Sequence, residues 1–454
     1  MAQTLVSKKP ESLWVNRNYL LLWSGQSLSL LGDWFFAATI TLWIIDRLAR
    51  GQSWLPLALA GVGLAVALPA LLLAPFTGVF VDRWDRRMTM FWTDVLRMIL
   101  VALFLLLTLV VQTPSILLGS SLVTLLLCSC GTQFFLPARV VAVNDFVAPE
   151  QHPMAFGSLQ QASYFAQILG PSVAAPLYLT FGPAWAIALN AASFLISSLL
   201  ILALRIPAKE EKGTREKRSF WQEMREGLRF FLGNRVLVTL LISGMIFMFG
   251  GQAYNGFQYL YGQENLGIPV ALLGLYVASY SVGIVIGIPL AANLAKRWSQ
   301  VEILWCCLVL NGLLIILLSR LTTMIPGVIC VFFMGITNSS ILVTVRPLTV
   351  RVTPRDLVGR VMAFELPMIN LAALVGGALA GVLASTALQN FHASFGGMRF
   401  GPLDTIFLAV GLLTIGSGIY ARLMLYPAVK RLDAAEALAQ KTSGAANNLI
   451  EKQE

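Results

Sequence analysis

Charge is scarce in this sequence: Asp, Glu, Lys and Arg make up 12% of its 454 residues, against 57% apolar residues. The mean hydropathy is +0.75. Soluble domains carry about 25% charged residues, so a water-facing globule is excluded and the bilayer must be the solvent. Histidine is nearly missing, and His152 and His392 sit far apart in loops, so no metal-ligand spacing is formed. Cys128, Cys130, Cys306, Cys307 and Cys330 all fall inside apolar runs and read as small packing residues. The phosphate-binding pattern G-x-x-x-x-G-K-[ST] does not occur, which argues against a self-contained ATP-driven pump. Neither does a clustered nucleophile, base or metal set, so no enzyme, cofactor or metal site is expected.

What is abundant is long hydrophobic runs. Crossing ~30 Å of hydrocarbon takes roughly 20 apolar residues, and such runs fall at 19–45, 56–80, 92–112, 116–137, 155–180, 184–204, 236–261, 268–294, 301–319, 324–345, 361–386 and 403–425. They predict an all-α membrane protein of twelve transmembrane helices. The first run is too long, and with Gln26 and Asp33 too polar, for a cleaved signal peptide. With both termini in the cytoplasm, only Arg47, Arg50, Arg320 and Arg399 of the 32 Lys and Arg fall outside, Arg97 being counted with the inner end of its span. The positive-inside rule therefore sets the orientation. The same asymmetry accounts for a pI near 9.6 through topology and contact with anionic membrane lipids, with no nucleic-acid partner.

The chain divides into a cytoplasmic tail at 1–18, a six-helix bundle at 19–204, a linker at 205–235, a second six-helix bundle at 236–426 and a tail at 427–454. The linker opens with the mixed-charge run Lys209 to Arg218, which cannot bury itself. Ser219 and Gln222 then form a capping-box start, followed by Phe220, Met224, Leu228 and Phe231 at helical spacing. This is an amphipathic helix lying either on the inner membrane surface or under the bundle. The halves are related. Gly78-Val79-Phe80-Val81-Asp82-Arg83-Trp84 closes span 2 as Ala292-Asn293-Leu294-Ala295-Lys296-Arg297-Trp298 closes span 8, and Val147-Ala148-Pro149 follows span 4 as Val352-Thr353-Pro354 follows span 10. Parallel repeats of this kind place a substrate site near the midplane, between the halves.

Gly78-x-x-x-Asp82-Arg83-x-Asp85-Arg86-Arg87, between spans 2 and 3, resembles the signature loop of the major facilitator superfamily. Asn16-Arg17-Asn18-Tyr19 with Trp23-Ser24-Gly25-Gln26, Phe134-Phe135-Leu136-Pro137-Ala138-Arg139, and Gly359-Arg360-Val361-Met362 resemble the bacterial branch that includes macrolide-efflux proteins and the enterobactin exporter. The resemblance runs from Asn16 to span 12. It implies two pseudo-symmetric six-helix bundles, a bacterial plasma membrane location and a secondary transporter of small molecules, working as a monomer. In the signature loop, Gly78 allows close helix packing, while Asp82, Arg83, Arg86 and Arg87 can form charge-assisted bonds that hold the halves together at a cytoplasmic gate. The plainer reading is a basic loop that only sets topology. Gly170-Pro171 in span 5, followed by Ala174-Ala175, is similar to the Gly-Pro motif of drug antiporters, and Pro171 must in any case kink its helix. Span 4 lacks the interior arginine that many drug/proton antiporters use, and Lys296 stands where the first half has Asp82.

Polar groups at membrane depth mark a cavity by default. Asp33 falls about 21 Å along a ~40 Å first helix at ~1.5 Å per residue, which is the midplane. Gln26 lies two turns earlier on the same face, and Trp34 adds an aromatic wall. Gln133, Gln160, Tyr164 and Gln167 in the first half, with Gln252, Asn255, Tyr259, Asn338 and Asn370 in the second, complete the expected lining. Each could equally be an interhelical hydrogen bond. Asp94 and Arg97, spaced i, i+3, can pair with each other and are assigned with Arg360 and Glu365 to gate support, Glu365 serving the gate or pairing with Arg360 or Arg97. No basic residue is expected at the depth of Asp33. The sequence thus points to a proton-coupled exporter of amphiphilic small molecules such as an antibiotic or a siderophore-like metabolite. A lipid or lysolipid flippase is the alternative in the same class, and a non-transporting membrane receptor is one of another class.

Overall fold

The computed structural model describes residues 13–205, 220–354, 357–391, 393–395 and 398–450. The first half comprises α1 (Arg17–Trp43), α2 (Leu55–Arg83), α3 (Arg86–Val110), α4 (Pro114–Phe146), α5 (His152–Phe181) and α6 (Pro183–Leu202). The linker helix α7 (Phe220–Gly233) leads to α8 (Arg235–Glu264), α9 (Val270–Leu294), α10 (Gln300–Leu318), α11 (Met324–Arg351), α12 (Val358–Ser385) and α13 (Pro402–Ile450). Twelve long helices thus occupy the twelve expected spans. Among the described residues, eleven are long and apolar enough to cross a membrane. The twelfth, α5, is long enough at 30 residues, but Gln160, Gln161, Tyr164 and Gln167 dilute its hydropathy. A span that polar needs neighbours on more than one side, and α5 packs against both α1 and α9.

The helix starts are written locally. Asn16 accepts from the Tyr19 amide at 3.2 Å, Asp85 from that of Met88 at 2.7 Å, and Ser299 with Glu302 forms a full capping box on α10. Pro opens α2, α4 and α6 in the first turn, where no amide bond is lost. Gly182, at φ 75°, makes the tight turn from α5 into α6. Leu103, Leu106 and Val110 stand exposed along α3, as an outward face meeting lipid requires.

The same packing scheme recurs in each half. In the first, α1 lies on α5 and α6, α3 on α4 and α6, and α2 on α4; in the second, α8 lies on α12 and α13, α10 on α11 and α13, and α9 on α11. The halves meet through α2 with α12 and α5 with α9, the equivalent pair under the repeat. These contacts run from mid-membrane to the side away from the chain termini, here the far side. Leu57 N donates to Ser385 Oγ at 3.0 Å and Ser281 Oγ to Gln167 Oε1 at 3.3 Å. A cleft of about 10 Å³ between Gly63, Gln252 and Gly377 has room for no more than a single water. On the far side a hairpin of β1 (Ala393–Phe395) and β2 (Met398–Phe400) joins α12 to α13.

On the terminal side, α7 packs under the second half, which decides between the two sequence options. Phe231 is fully buried among Leu237, Leu241 and Val361, its ring 5.4 Å from that of Phe364. Arg360 Nη1 donates to Glu226 Oε2 at 2.7 Å, and Gly227 lies under Arg360. Ser219 and the charged run from Lys209 to Arg218 lie outside the described residues. Helix α13 continues past 426 to Ile450, so the expected C-terminal tail begins as helix.

Candidate functional site

A buried charged cluster occupies the centre of the first half. It exists because α1 and α6 approach closely: Gly32 faces α6, where an added Cβ would lie 2.7 Å from Asn190 Oδ1 and 3.1 Å from Ser193 Cβ. That approach brings Asn190 close to the Asp33 carboxylate. Ser197, two turns further along α6, donates to Asp94 Oδ2 at 2.6 Å. Asp94 Oδ1 in turn accepts from Arg97 Nη2 at 2.7 Å. The pair is sealed, with Asp94 0% and Arg97 3% exposed. Arg97 stacks over Phe194 at 4.7 Å and Phe135 at 5.0 Å, while Gly131 leaves room for its stem. Both Arg97 and Asp94 lie within electrostatic range of Asp33.

The i, i+3 pair of Asp94 and Arg97 forms as expected, but its depth corrects the sequence reading. Arg97 is not at the inner end of its span and does not serve a terminal-side contact; a basic residue does lie near the depth of Asp33. The reason is local, since Asp85 caps α3 and the helix starts at Arg86 rather than at 92, so Asp94 and Arg97 sit two turns deeper than expected. Removing one partner of a buried ion pair strands the other charge, at about 3–5 kcal/mol. Arg97→Leu is therefore expected to lower the yield and melting temperature of detergent-solubilised protein, and Arg97→Leu/Asp94→Asn to recover most of the loss. A double variant as unstable as the single one would show that Arg97 acts through packing.

The remaining expected cavity residues spread over both halves. Gln26 is buried, and its Oε1 has no hydrogen-bond partner among the described residues. Trp34 is half-buried beside Gly170, so α5 at Gly170-Pro171 lies against α1 next to Asp33. Gln167 bonds Ser281 across the halves, Tyr164 is half-buried and Gln160 exposed. Gln133 turns back to the Ser129 carbonyl at 3.4 Å. In the second half, Gln252 is wedged between Gly63 and Gly377, Tyr259 is buried, Asn370 half-buried and Asn255 exposed. Asn338 lies close to Tyr280, whose ring is 6.2 Å from that of Tyr254. Tyr254 also packs on Phe407 at 5.5 Å. Tyr276 and Tyr280 were not singled out from sequence, although their i, i+4 spacing on an apolar span carried the signal.

At the terminal side, α2 ends through Gly78, Asp82 and Arg83, whose side chains lie outside the described residues, as does Gly359. Arg86 pairs with Asp145 at the end of α4, and Arg87 donates to the Leu202 carbonyl at the end of α6. These contacts clip α3 to its own half. Arg360 pairs with Glu226 of the linker helix, and the charged neighbour of the buried Glu365 is Arg346 on α11, not Arg360 or Arg97 as expected.

Comparison with known proteins follows the same lines. A family profile described as transmembrane secretion effector matches residues 13–400. Macrolide efflux protein A of Streptococcus pyogenes is 27% identical over 283 residues, spanning 62% of this chain and 68% of that protein. Macrolide efflux protein A of Enterococcus faecalis is 26% identical over 320 residues, 68% of this chain and 95% of that one. The putative bacilysin exporter BacE of Bacillus subtilis is 29% identical over 233 residues, 50% of this chain and 54% of the exporter. Among solved structures, the POT family transporter PepTSo matches with a TM-score of 0.71 at 11% identity, over 91% of this chain and 99% of its own. The nucleoside transporter NupG matches at 0.69 and 13% identity, over 90% and 99%. At such identities the two structures share the fold alone.

Proposed function

Because the chain belongs to the transmembrane secretion effector family, in the macrolide-efflux branch of the major facilitator transporters, we propose that it exports amphiphilic small molecules by alternating access, in exchange for protons. It is a multi-pass membrane transporter and not an enzyme. The observation that carries the finer reading is the unequal charge of the cluster, in which the half-buried Asp33 lies within electrostatic range of the buried Asp94–Arg97 pair. One carboxylate is in excess, and a proton is the simplest partner for it. Asp94 already holds Arg97 and a serine hydroxyl, which leaves Asp33 to take up and release that proton. Gln26 and Trp34 on the same helix, with the tyrosines and Phe407 of the second half, supply polar anchors and aromatic walls of the kind small-molecule sites use. The far-side contacts of α2 with α12 and α5 with α9 are those that must part for release. The signature loop, through Gly78, Asp82 and Arg83, would close the opposite side.

The test is transport by purified protein in vesicles. With an acidic lumen, protons leaving should drive a labelled macrolide inward, and an uncoupler should abolish the uptake. Uptake that ignores the pH gradient would sink the antiport reading, and uptake of a lysolipid but not of the macrolide would move the cargo to the lipid class. We also propose a bacterial plasma membrane location with both termini cytoplasmic. A cysteine following Lys209 should then resist an impermeant thiol reagent applied to intact cells, while one beside Gly397 should react; the reverse pattern inverts the topology.

A further inference from the structure

Three arginines with no carboxylate partner among the described residues converge where α7, α8 and α13 meet on the terminal side. Arg229, Arg235 and Arg431 are each exposed, and they line two adjoining hollows of about 370 and 570 Å³ that share Arg235, Ala428 and Arg431. Among the described residues, no acidic side chain lines either hollow. The amino-terminal end of α8, with its positive dipole, adds to these charges. Asn234 caps that end through Val236 and Leu237, which fixes Arg235 at the first helical position. The wall that leads away from the arginines into the membrane is apolar and outward-facing, with Leu423 64%, Leu232 61% and Met424 52% exposed.

A cationic mouth opening onto an exposed apolar wall, at the level where two spanning helices reach the membrane surface, matches an amphiphile with an anionic head. Free phosphate would satisfy the arginines but leave the wall bare. We propose that this junction is a binding site for an anionic phospholipid, whose phosphate sits among Arg229, Arg235 and Arg431 and whose acyl chain runs along Val238, Leu423 and Met424. The lipid joins the linker helix to both helices that border it. Since α7 is also tied to α12 through Glu226 and Arg360, the site braces the linker against the second half on two sides.

Photo-activatable phosphatidylglycerol and phosphatidylcholine, each incorporated into nanodiscs with the full-length protein, test this directly. Phosphatidylglycerol should label the peptides covering 220–239 and 420–431 about tenfold more than phosphatidylcholine. Arg229→Gln/Arg235→Gln/Arg431→Gln should erase that preference, while lysine at the same three positions keeps it. If the triple glutamine variant fails to insert, Arg431→Gln alone should still lower the preference severalfold. Equal labelling by the two lipids, or a preference that survives the glutamine variants, refutes the site. Competition by inorganic phosphate at millimolar concentration without any lipid preference would assign the arginines to a soluble anion instead.

Discussion

Asp33→Asn is expected to abolish pH-gradient-driven accumulation in vesicles while leaving insertion and cargo binding intact. An ionised carboxylate near the centre of a spanning helix costs on the order of 2.5–3.5 kcal/mol even on the lenient insertion scale, so it must be paired, hydrated or neutral. Pairing is largely foreclosed, because Arg97 is already held by Asp94 at 2.7 Å and enclosed between two phenyl rings. The amide keeps the contact with Asn190 and the volume, and it strands no cation, so stability should change little. What it removes is the only change that lets the cluster alternate between zero and one net negative charge. Equilibrium binding of a labelled macrolide should therefore persist, and counterflow of cargo against cargo should continue, while proton-driven uptake falls to the level of protein-free vesicles. Asp94→Asn gives an independent check. It frees Arg97 to pair with Asp33, which fixes Asp33 in its ionised form and should also uncouple the cycle, though by locking the charge rather than deleting it. If Asp33→Asn vesicles exchange protons for macrolide at the normal rate, Asp33 is a packing group and the proton is carried elsewhere.

Much of this fold was legible because the bilayer leaves few choices, since each run of about 20 apolar residues must be a helix once its backbone enters lipid. The matching signals after spans 2 and 8 and after spans 4 and 10 gave the repeat, and the packing of α1 to α6 recurs in α8 to α13. The mid-span position of Asp33 was legible from depth alone. Its neighbours were not. Asn190, Ser193 and Ser197 are short polar residues in an otherwise apolar span, of a kind that hydropathy averages away, and only the face they share with Gly32 gives them meaning. Arg97 was misplaced because the first turns of α3, Arg86 to Thr93, mix polar and apolar residues, and the hydropathy onset falls two turns after the cap at Asp85. Linker periodicity showed an amphipathic helix but could not say whether its apolar face meets lipid or protein; burial of Phe231 answers that.

Gly274→Val should stop transport by a different route, by holding the far side open. A Cβ on Gly274 of α9 would collide with the carbonyl group of Pro171 on α5 and lie 3.1 Å from Ser172 Cα. All of these are backbone atoms, so no side chain can turn aside, and the two helices must separate. The helices belong to opposite halves, and the packing inside each half is untouched. Gly283 and Gly335 provide the contrast: an added Cβ there would strike the carbonyls of Phe332 and Tyr280, within the α9–α11 packing of a single half. Gly283→Val is thus expected to reduce the amount of folded protein, whereas Gly274→Val should accumulate normally. Overpacking of this kind costs about 1–3 kcal/mol, which would shift the balance between far-side-closed and far-side-open states by roughly five- to 150-fold. A cysteine at Gln167, which bonds Ser281 across the same contact, reports that shift in a background lacking the native cysteines. Combined with Gly274→Val, it should react with an impermeant thiol reagent applied from the far side at least several times faster, while substrate-driven uptake is lost. Unchanged labelling together with unchanged uptake would mean that the approach of α5 to α9 is no part of the transport cycle, and that the far-side barrier rests on α2 and α12 alone.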